Sequence, residues 1–151
     1  VFDVVPYRDG FLAENGIVFP YYSGERIASF LLETAKELGL RGLTMAMKIK
    51  REQGLRSHPA YRKALDLLSN MRHVVFIPSN VSARRLIEHS SAVISIPFTS
   101  TALVGQMSAR PSVYFDPDGQ LQDHLRLDHG VPVLKSREEL GHWLDTMDRK
   151  N

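Results

Sequence analysis

The sequence predicts an α/β protein built on a doubly wound, mainly parallel sheet of about six strands. Short apolar runs alternate with helical patterns of about a dozen residues, which is typical of parallel βαβ units. Runs such as Val74–Ile77 are apolar at every position, as expected for strands covered on both faces. The length of 151 residues fits one domain with a substantial core.

The six predicted strands are runs of β-branched, aromatic and other apolar residues. They span residues 1–7, 43–49, 73–77, 92–96, 112–115 and 131–134. Pro78 closes the third strand, and residues 116–119 have the Asp-Pro-Asp-Gly sequence of a turn. Residues 11–22 and 50–57 show neither the alternation of a strand nor the apolar spacing of a helix, and they are predicted to be irregular.

The helices are predicted from caps and from apolar residues at helical spacing. Ser23 is the predicted N-cap of the first helix, which ends at Gly39 or Gly42. Ser57 is the predicted N-cap of the second, with Pro59 just inside it.

Three further helices complete the alternation. They are predicted at residues 82–89, at residues 102–109 and after Ser136. Glu139 lies three residues after Ser136, so the pair forms a capping box at the start of the last helix.

Composition excludes several classes of partner. The net charge is +2 and the basic residues are dispersed, so we predict no nucleic-acid partner. The chain has no cysteine and its six histidines share no ligand spacing, so we predict no metal site. No signal peptide is visible in residues 1–151, and no apolar run approaches the roughly 18 residues that a transmembrane helix needs, so we predict no transmembrane segment.

Three hydroxyl residues, Thr99, Ser100 and Thr101, lie where the fourth predicted strand passes into a helix. The N-terminus of a helix offers free N–H groups and the positive end of the helix dipole, which suit a phosphate. Ligands of doubly wound sheets bind at the carboxyl ends of the strands, where this segment lies. The alternative is that these hydroxyls only cap the helix.

Basic residues follow the second predicted strand at the same edge. Lys48, Lys50 and Arg51 are candidates for neutralising a phosphate, and alternation places Lys48 and Lys50 on one side of the strand. The alternative is a solvated strand end.

Three further residues, Asp116, Asp118 and His58, are candidates for ligand binding. Asp116 and Asp118 have carboxylates that accept hydrogen bonds from sugar hydroxyls, although both residue types also form turns. A protonated His58 would meet a phosphate, although His58-Pro59 also suits the entry to a helix. The sequence supports neither a dinucleotide-binding site nor a P-loop site, because it contains neither Gly-x-Gly-x-x-Gly nor a P-loop motif.

Residues 91–103, with Pro97-Phe98-Thr99-Ser100 at their centre, and residues 110–117 carry a family resemblance. They resemble bacterial polysaccharide-biosynthesis proteins named for a Pro-Phe-Thr-Ser motif, most clearly over residues 90–119. The resemblance implies a glycosyltransferase of the GT-B type, acting on surface carbohydrate such as capsule or O-antigen. It implies that residues 1–151 are the Rossmann-like C-terminal domain, which binds the nucleotide-sugar donor.

A second likeness is to bacterial sialyl- and Kdo-transferases, which hold the phosphate of a CMP-sugar with a His-Pro motif and a Ser-Ser/Thr motif. Ser100-Thr101 is similar to the second motif in type and place. His58-Pro59 has the letters of the first but lies a whole loop beyond the strand end, so Lys48 and Lys50 are the stronger candidates. The likeness implies a CMP-sugar as substrate and no cofactor.

The expected function is therefore donor binding within a larger two-domain glycosyltransferase. The chain begins at Val1 inside an apolar run, so we expect a piece of a longer protein whose N-terminal domain binds the carbohydrate acceptor. We expect the isolated chain to bind nucleotide weakly and to transfer nothing. The full protein is expected in the cytoplasm or at the inner face of the membrane. The alternatives are a sugar-nucleotide epimerase and a non-catalytic interaction domain of the same fold.

Overall fold

The structure is a computed structural model that describes residues 1–9, 16, 21–48, 57–121 and 129–148. Its named helices are α1 Gly24–Leu40, α2 Pro59–Ser69, α3 Ala83–Glu88, α4 Ser100–Met107 and α5 Arg137–Asp148. Its strands are β1 Met45–Lys48, β2 Val74–Ile77, β3 Val93–Ser95, β4 Ser112–Phe115 and β5 Val133–Leu134. The chain is thus an α/β protein, as predicted.

The strands form two small parallel sheets, one of β1 and β2 and one of β3, β4 and β5 in that order. In the first, Met45 pairs with Val74. In the second, Ile94 pairs with Val113, and β4 pairs in parallel with β5. Within each sheet, the carboxyl ends of the strands therefore meet at one edge.

The first two residues hydrogen-bond to both sheets. The Phe2 N–H donates to the Ile94 carbonyl over 3.0 Å, and the Phe2 carbonyl accepts from Ile96 over 3.2 Å. On the other side, the Val1 carbonyl accepts from the Lys48 N–H over 3.1 Å. Val1 and Phe2 therefore lie between β1 and β3.

Two predictions about strands need correction. Residues 1–7 form isolated bridges rather than a strand, at Phe2 with Ser95 and at Tyr7 with Ser57. The described residues therefore contain five strands rather than six. β2 is not covered on both faces, since Val75 is 47% exposed and the rest of the strand is half-buried.

Most of the predicted helix ends are confirmed. The Ser23 hydroxyl accepts from the Arg26 N–H at the start of α1. Gly42 follows the end of α1 with a φ of 65°, a left-handed conformation that glycine adopts without steric cost. The predicted cap of α2 is wrong, because His58 and not Ser57 is its N-cap.

The core lies between α1 and the strands. Ile27, Phe30 and Leu31 of α1 are fully buried, and the Phe30 ring packs against Phe115 of β4 at 6.1 Å. On the side of α4, Gly105 allows a close approach to the sheet. A Cβ at Gly105 would lie 2.3 Å from Ser112 Oγ and 2.8 Å from Val93 Cγ2. Close contact with β3 and β4 therefore holds α4 in place.

Candidate functional site

The candidate site is the turn from β3 into α4. Ser95 ends β3 fully buried, and Pro97 and Phe98 form the turn. Phe98 has a φ of 65°, a left-handed conformation that disfavours side chains with a Cβ. Thr99 then takes the N-cap position of α4 with extended backbone angles. This turn places the start of α4 directly after the carboxyl end of β3.

Two of the three predicted hydroxyls bond inward. The Thr99 hydroxyl donates to the Ile96 carbonyl over 2.9 Å and lies 3.2 Å from the Thr101 hydroxyl. The Thr101 hydroxyl in turn lies 2.9 Å from the buried Ser95 hydroxyl. Ser100 is exposed, and its hydroxyl has no hydrogen bond with the residues that the structure describes. Of the three side chains, Ser100 therefore faces solvent most directly.

The side chain of Thr99 makes no capping hydrogen bond to α4. The other four named helices have such a bond, from the side chains of Ser23, His58, Ser82 and Ser136. The first N–H groups of any α-helix lack a partner inside the helix. At α4 these donors are left without a side-chain cap, next to exposed Ser100. Such a helix start can donate hydrogen bonds to an anion.

A second feature fixes the Thr99 backbone. The hydroxyl of Tyr114, a fully packed residue of β4, donates to the Thr99 carbonyl over 2.9 Å. The helix start is therefore attached to β3 through Ser95 and to β4 through Tyr114. Its geometry is set before any ligand arrives, which lowers the cost of ordering on binding.

Lys48 reaches the same edge but bonds to the neighbouring turn. Its ammonium donates to the carbonyls of Pro78 and Ser79, over 2.9 and 3.0 Å, and the side chain is buried. Val1 and Phe2 separate β1 from β3, which places the ends of the two strands about 10 Å apart by ordinary strand spacing. Lys50 and Arg51 lie outside the described residues.

His58 caps α2. Its Nδ1 accepts from the Ala60 N–H over 3.2 Å, and its Nε2 lies 3.6 Å from Glu25 Oε1. The ring packs directly on Gly24, where a Cβ would lie 2.0 Å from Nδ1. The structure therefore gives His58 a capping contact between the starts of α1 and α2.

Asp116 and Asp118 both hold the segment after β4. Asp116 is fully buried, and its carboxylate accepts from the Tyr21 hydroxyl over 3.2 Å and from the Leu121 N–H over 2.9 Å. Asp118 accepts from Arg26 Nε over 2.9 Å. The structure therefore shows both carboxylates in contacts within the chain.

Sequence reasoning missed Tyr21, Tyr22 and Arg26. The Arg26 guanidinium lies 4.6 Å from the centre of the Tyr21 ring and donates to the Tyr21 carbonyl over 2.7 Å. The Tyr22 hydroxyl donates to the Pro97 carbonyl over 2.9 Å. Burial raises the pKa of the Tyr21 hydroxyl, and the Asp116 carboxylate beside it raises that pKa further. The adjacent tyrosines in an irregular segment were the available signal.

The described residues contain neither a cluster of metal ligands nor a helix that could span a membrane. They hold no group of three histidine, aspartate or glutamate side chains arranged to bind a metal ion. No helix among them has the length and apolar character needed to cross a membrane.

Fold and site define an α/β protein of parallel strands with a candidate anion site at one helix start. The family model of polysaccharide biosynthesis PFTS motif proteins matches residues 1–144. The chain belongs to this family, and it has the letters of the motif at residues 97–100, on the turn described above. The search of curated proteins and the search of solved structures return no match.

Proposed function

We propose that this chain is the donor-binding domain of a glycosyltransferase that builds bacterial surface polysaccharide. The start of α4 would hold the phosphate of a nucleotide-sugar. The observation that carries the proposal is the absence of a side-chain cap at this helix, within the motif that names the family. Phosphates bind helix starts through their free N–H groups and the helix dipole.

The order of the chain across the two sheets supports a doubly wound, Rossmann-like domain of the GT-B type. The sequence of hydrogen-bonded neighbours is β2, β1, the first two residues, β3, β4 and β5. Starting from Val1 and Phe2, the chain first adds β1 and β2 on one side of these residues and then β3, β4 and β5 on the other side. In such sheets ligands bind where the direction reverses, which here is beside β3.

The reaction needs groups that stabilise the negative charge on the departing phosphate. When the sugar is transferred, a hydroxyl oxygen of the acceptor bonds to the anomeric carbon of the sugar, the bond from that carbon to the phosphate oxygen breaks, and the nucleotide leaves with added negative charge. Fixed N–H donors stabilise that charge without reorganising. Ser100 adds a hydroxyl, and Lys48, Lys50 and Arg51 would add positive charge. The acceptor proton would pass to a base on the partner domain.

The second likeness supports a CMP-sugar as the donor, with Ser100-Thr101 at the phosphate. His58, Asp116 and Asp118 would then lie along the same edge as further donor contacts. The contacts within the chain already described for these three side chains make them weaker candidates than the helix start.

The test is to close the helix start with a carboxylate. Thr99→Asp places an acceptor and a negative charge at the N-cap of α4. Ser82→Asp makes the same change at the N-cap of α3 and serves as the matched control. Binding of CMP, CDP, UDP and GDP is measured by calorimetry. We expect Thr99→Asp to lower the affinity for nucleotide about tenfold or more, and Ser82→Asp to change that affinity less than about twofold.

Equal affinity in the two variants, with both folded, contradicts the proposed site. If the folded wild-type chain binds none of the four nucleotides, a non-catalytic interaction domain becomes the better description. Product analysis of the full-length protein separates a transferase from an epimerase.

A further inference from the structure

Three aromatic rings lie together beside the start of α4. The Tyr21 ring is 5.3 Å from the Tyr22 ring and 5.8 Å from the Phe98 ring. We call these three residues the aromatic cluster. Each is partly exposed, so each keeps some surface in contact with solvent. An aromatic surface next to a phosphate-binding helix start is suited to a planar ring joined to that phosphate.

We infer that Phe98, supported by Tyr21, is the residue on which the base of the donor nucleotide stacks. This inference rests on the proposed function, because the phosphate at α4 is what brings the base to the cluster. Phe98 immediately precedes the N-cap Thr99, so its ring is attached to the same turn that positions the N–H donors.

The backbone at Phe98 supports a role for its ring. With a φ of 65°, this position favours glycine, which would meet the turn without steric cost. The chain instead has a large aromatic side chain there, against the local preference. The ring packs on Tyr21, whose own ring lies below the Arg26 guanidinium. Tyr21 is thereby held in place as a support for Phe98.

The chemistry of the cluster favours a base over a sugar ring. The Tyr21 hydroxyl is used by Asp116, and the Tyr22 hydroxyl by the Pro97 carbonyl. The cluster therefore offers ring faces and few free hydrogen-bonding groups. A base needs only a ring face for stacking, whereas a pyranose has several hydroxyls that require hydrogen-bond partners.

The test separates the base from the phosphate. The wild-type chain and Phe98→Gly are titrated by NMR with CMP, glucose 1-phosphate and inorganic phosphate. Phe98→Gly removes the ring and suits the backbone conformation. We expect its affinity for CMP to fall about five- to a hundredfold, from the usual strength of base stacking. Its affinities for glucose 1-phosphate and for inorganic phosphate stay within about twofold of wild type.

Two control variants isolate the ring. Phe98→Tyr keeps an aromatic face, so its affinity for CMP stays near that of wild type. Ala109→Gly introduces glycine at a residue with the same kind of backbone conformation, a φ of 54°, just past the opposite end of α4, and should leave every affinity unchanged. Phe98→Asn replaces Phe98→Gly if the glycine variant does not give a folded spectrum, because asparagine tolerates this conformation.

The outcomes separate the inference from the proposed function. If the wild-type chain binds neither phosphate nor CMP, the proposed function fails and the base site fails with it. If phosphate binds but CMP binds no more tightly, the base site alone is wrong. Loss of phosphate binding by folded Phe98→Gly, or loss of glucose 1-phosphate with CMP retained, also overturns the inference. The first would mean that Phe98 only shapes the helix start, and the second that the ring holds the sugar.

Discussion

A hydroxyl residue stands before the first turn of both α4 and α5, but only the hydroxyl before α5 accepts a capping hydrogen bond from its helix. At α5, the Ser136 hydroxyl accepts from the Glu139 N–H over 3.2 Å, and the Glu139 carboxylate accepts from the Lys135 N–H over 2.7 Å. At α4, the Thr99 hydroxyl donates to the Ile96 carbonyl and makes no cap. The start of α5 is capped by its own side chains, whereas the first N–H donors of α4 have no side-chain cap among the described residues.

The difference comes from the neighbours of the cap residue. Thr99 has a second hydroxyl within reach on Thr101, which is in turn held by buried Ser95. The Ser136 hydroxyl caps the Glu139 N–H as the capping-box sequence predicts, but the Glu139 carboxylate bonds to the N–H of Lys135, one residue before the N-cap. Whether a hydroxyl caps a helix is therefore decided by the groups around it and not by its residue type.

The largest effect expected is displacement of α4 from the sheet. Gly105→Val introduces atoms where only 2.3 Å separates a Cβ from Ser112 Oγ. We expect the free energy of unfolding to fall by about 3 kcal/mol, measured by urea denaturation. Met107→Val, on the same helix at a site that is 88% exposed, should change it by less than about 0.7 kcal/mol. Similar losses in both variants would show that α4 is not tightly packed.

Removing the cap of α2 should have an intermediate effect. His58→Ala deletes the acceptor for the Ala60 N–H, and we expect a loss of about 1 kcal/mol in unfolding free energy. His58→Asn restores a capping acceptor and should recover most of that loss. Nucleotide affinity measured on the same samples then tells whether His58 has a second role. A loss of affinity in stable His58→Asn would place this imidazole in the site.

A matched pair of serine substitutions compares the two helix starts directly. Ser136→Ala removes a cap, so we expect a loss of about 1 kcal/mol in thermal or urea unfolding. Ser100→Ala removes an exposed hydroxyl without a partner among the described residues, so stability should stay within about 0.5 kcal/mol. Only Ser100→Ala should weaken nucleotide binding. The reverse pattern would contradict the difference between α4 and α5.

The smallest expected effect is a loss of stability in acid, caused by protonation of Glu37, which binds Arg137 at the start of α5. Burial raises the pKa of Glu37, but hydrogen bonds from Arg137 and Arg41 outweigh this and hold it below its ordinary value of 4.5. The resulting stability is complete above pH 4.5 and is lost as the pH falls through the lower folded value. Unfolding measured from pH 7 to pH 3 should show this loss, and Glu37→Gln should reduce it. An unchanged pH profile in Glu37→Gln would contradict this assignment.

Much of the layout was predictable because local signals agreed with the final packing. The α/β class, the strands after Leu43 and the caps Ser23 and Ser136 follow from short-range patterns, and the structure confirms them. The prediction of Ser57 as the N-cap of α2 was wrong because Ser57 forms a β-bridge with Tyr7, a contact between distant parts of the chain. Sequence periodicity does not report such contacts.

The candidate site was predictable in place but not in detail. Thr99, Ser100 and Thr101 do lie at a helix start after a buried strand, as the pattern of residues indicates. That two of the hydroxyls bond inward depends on Ser95 and on the backbone angles at Phe98, which the residue types alone do not reveal. The aromatic cluster joins residues more than 70 positions apart, so the adjacent tyrosines alone do not reveal their contact with Phe98.

The exposure of β2 has a consequence for handling the protein. β2 pairs with β1 on one side, and no strand in the described part of the chain pairs with its other side. A half-exposed strand of Val, Val, Phe and Ile is the kind of segment that recruits identical strands from other molecules. Arg72 before the strand and Pro78 after it have the residue types that discourage such growth. Because the edge itself is apolar and has no partner strand among the described residues, aggregation at high concentration is expected to begin there despite these two residues.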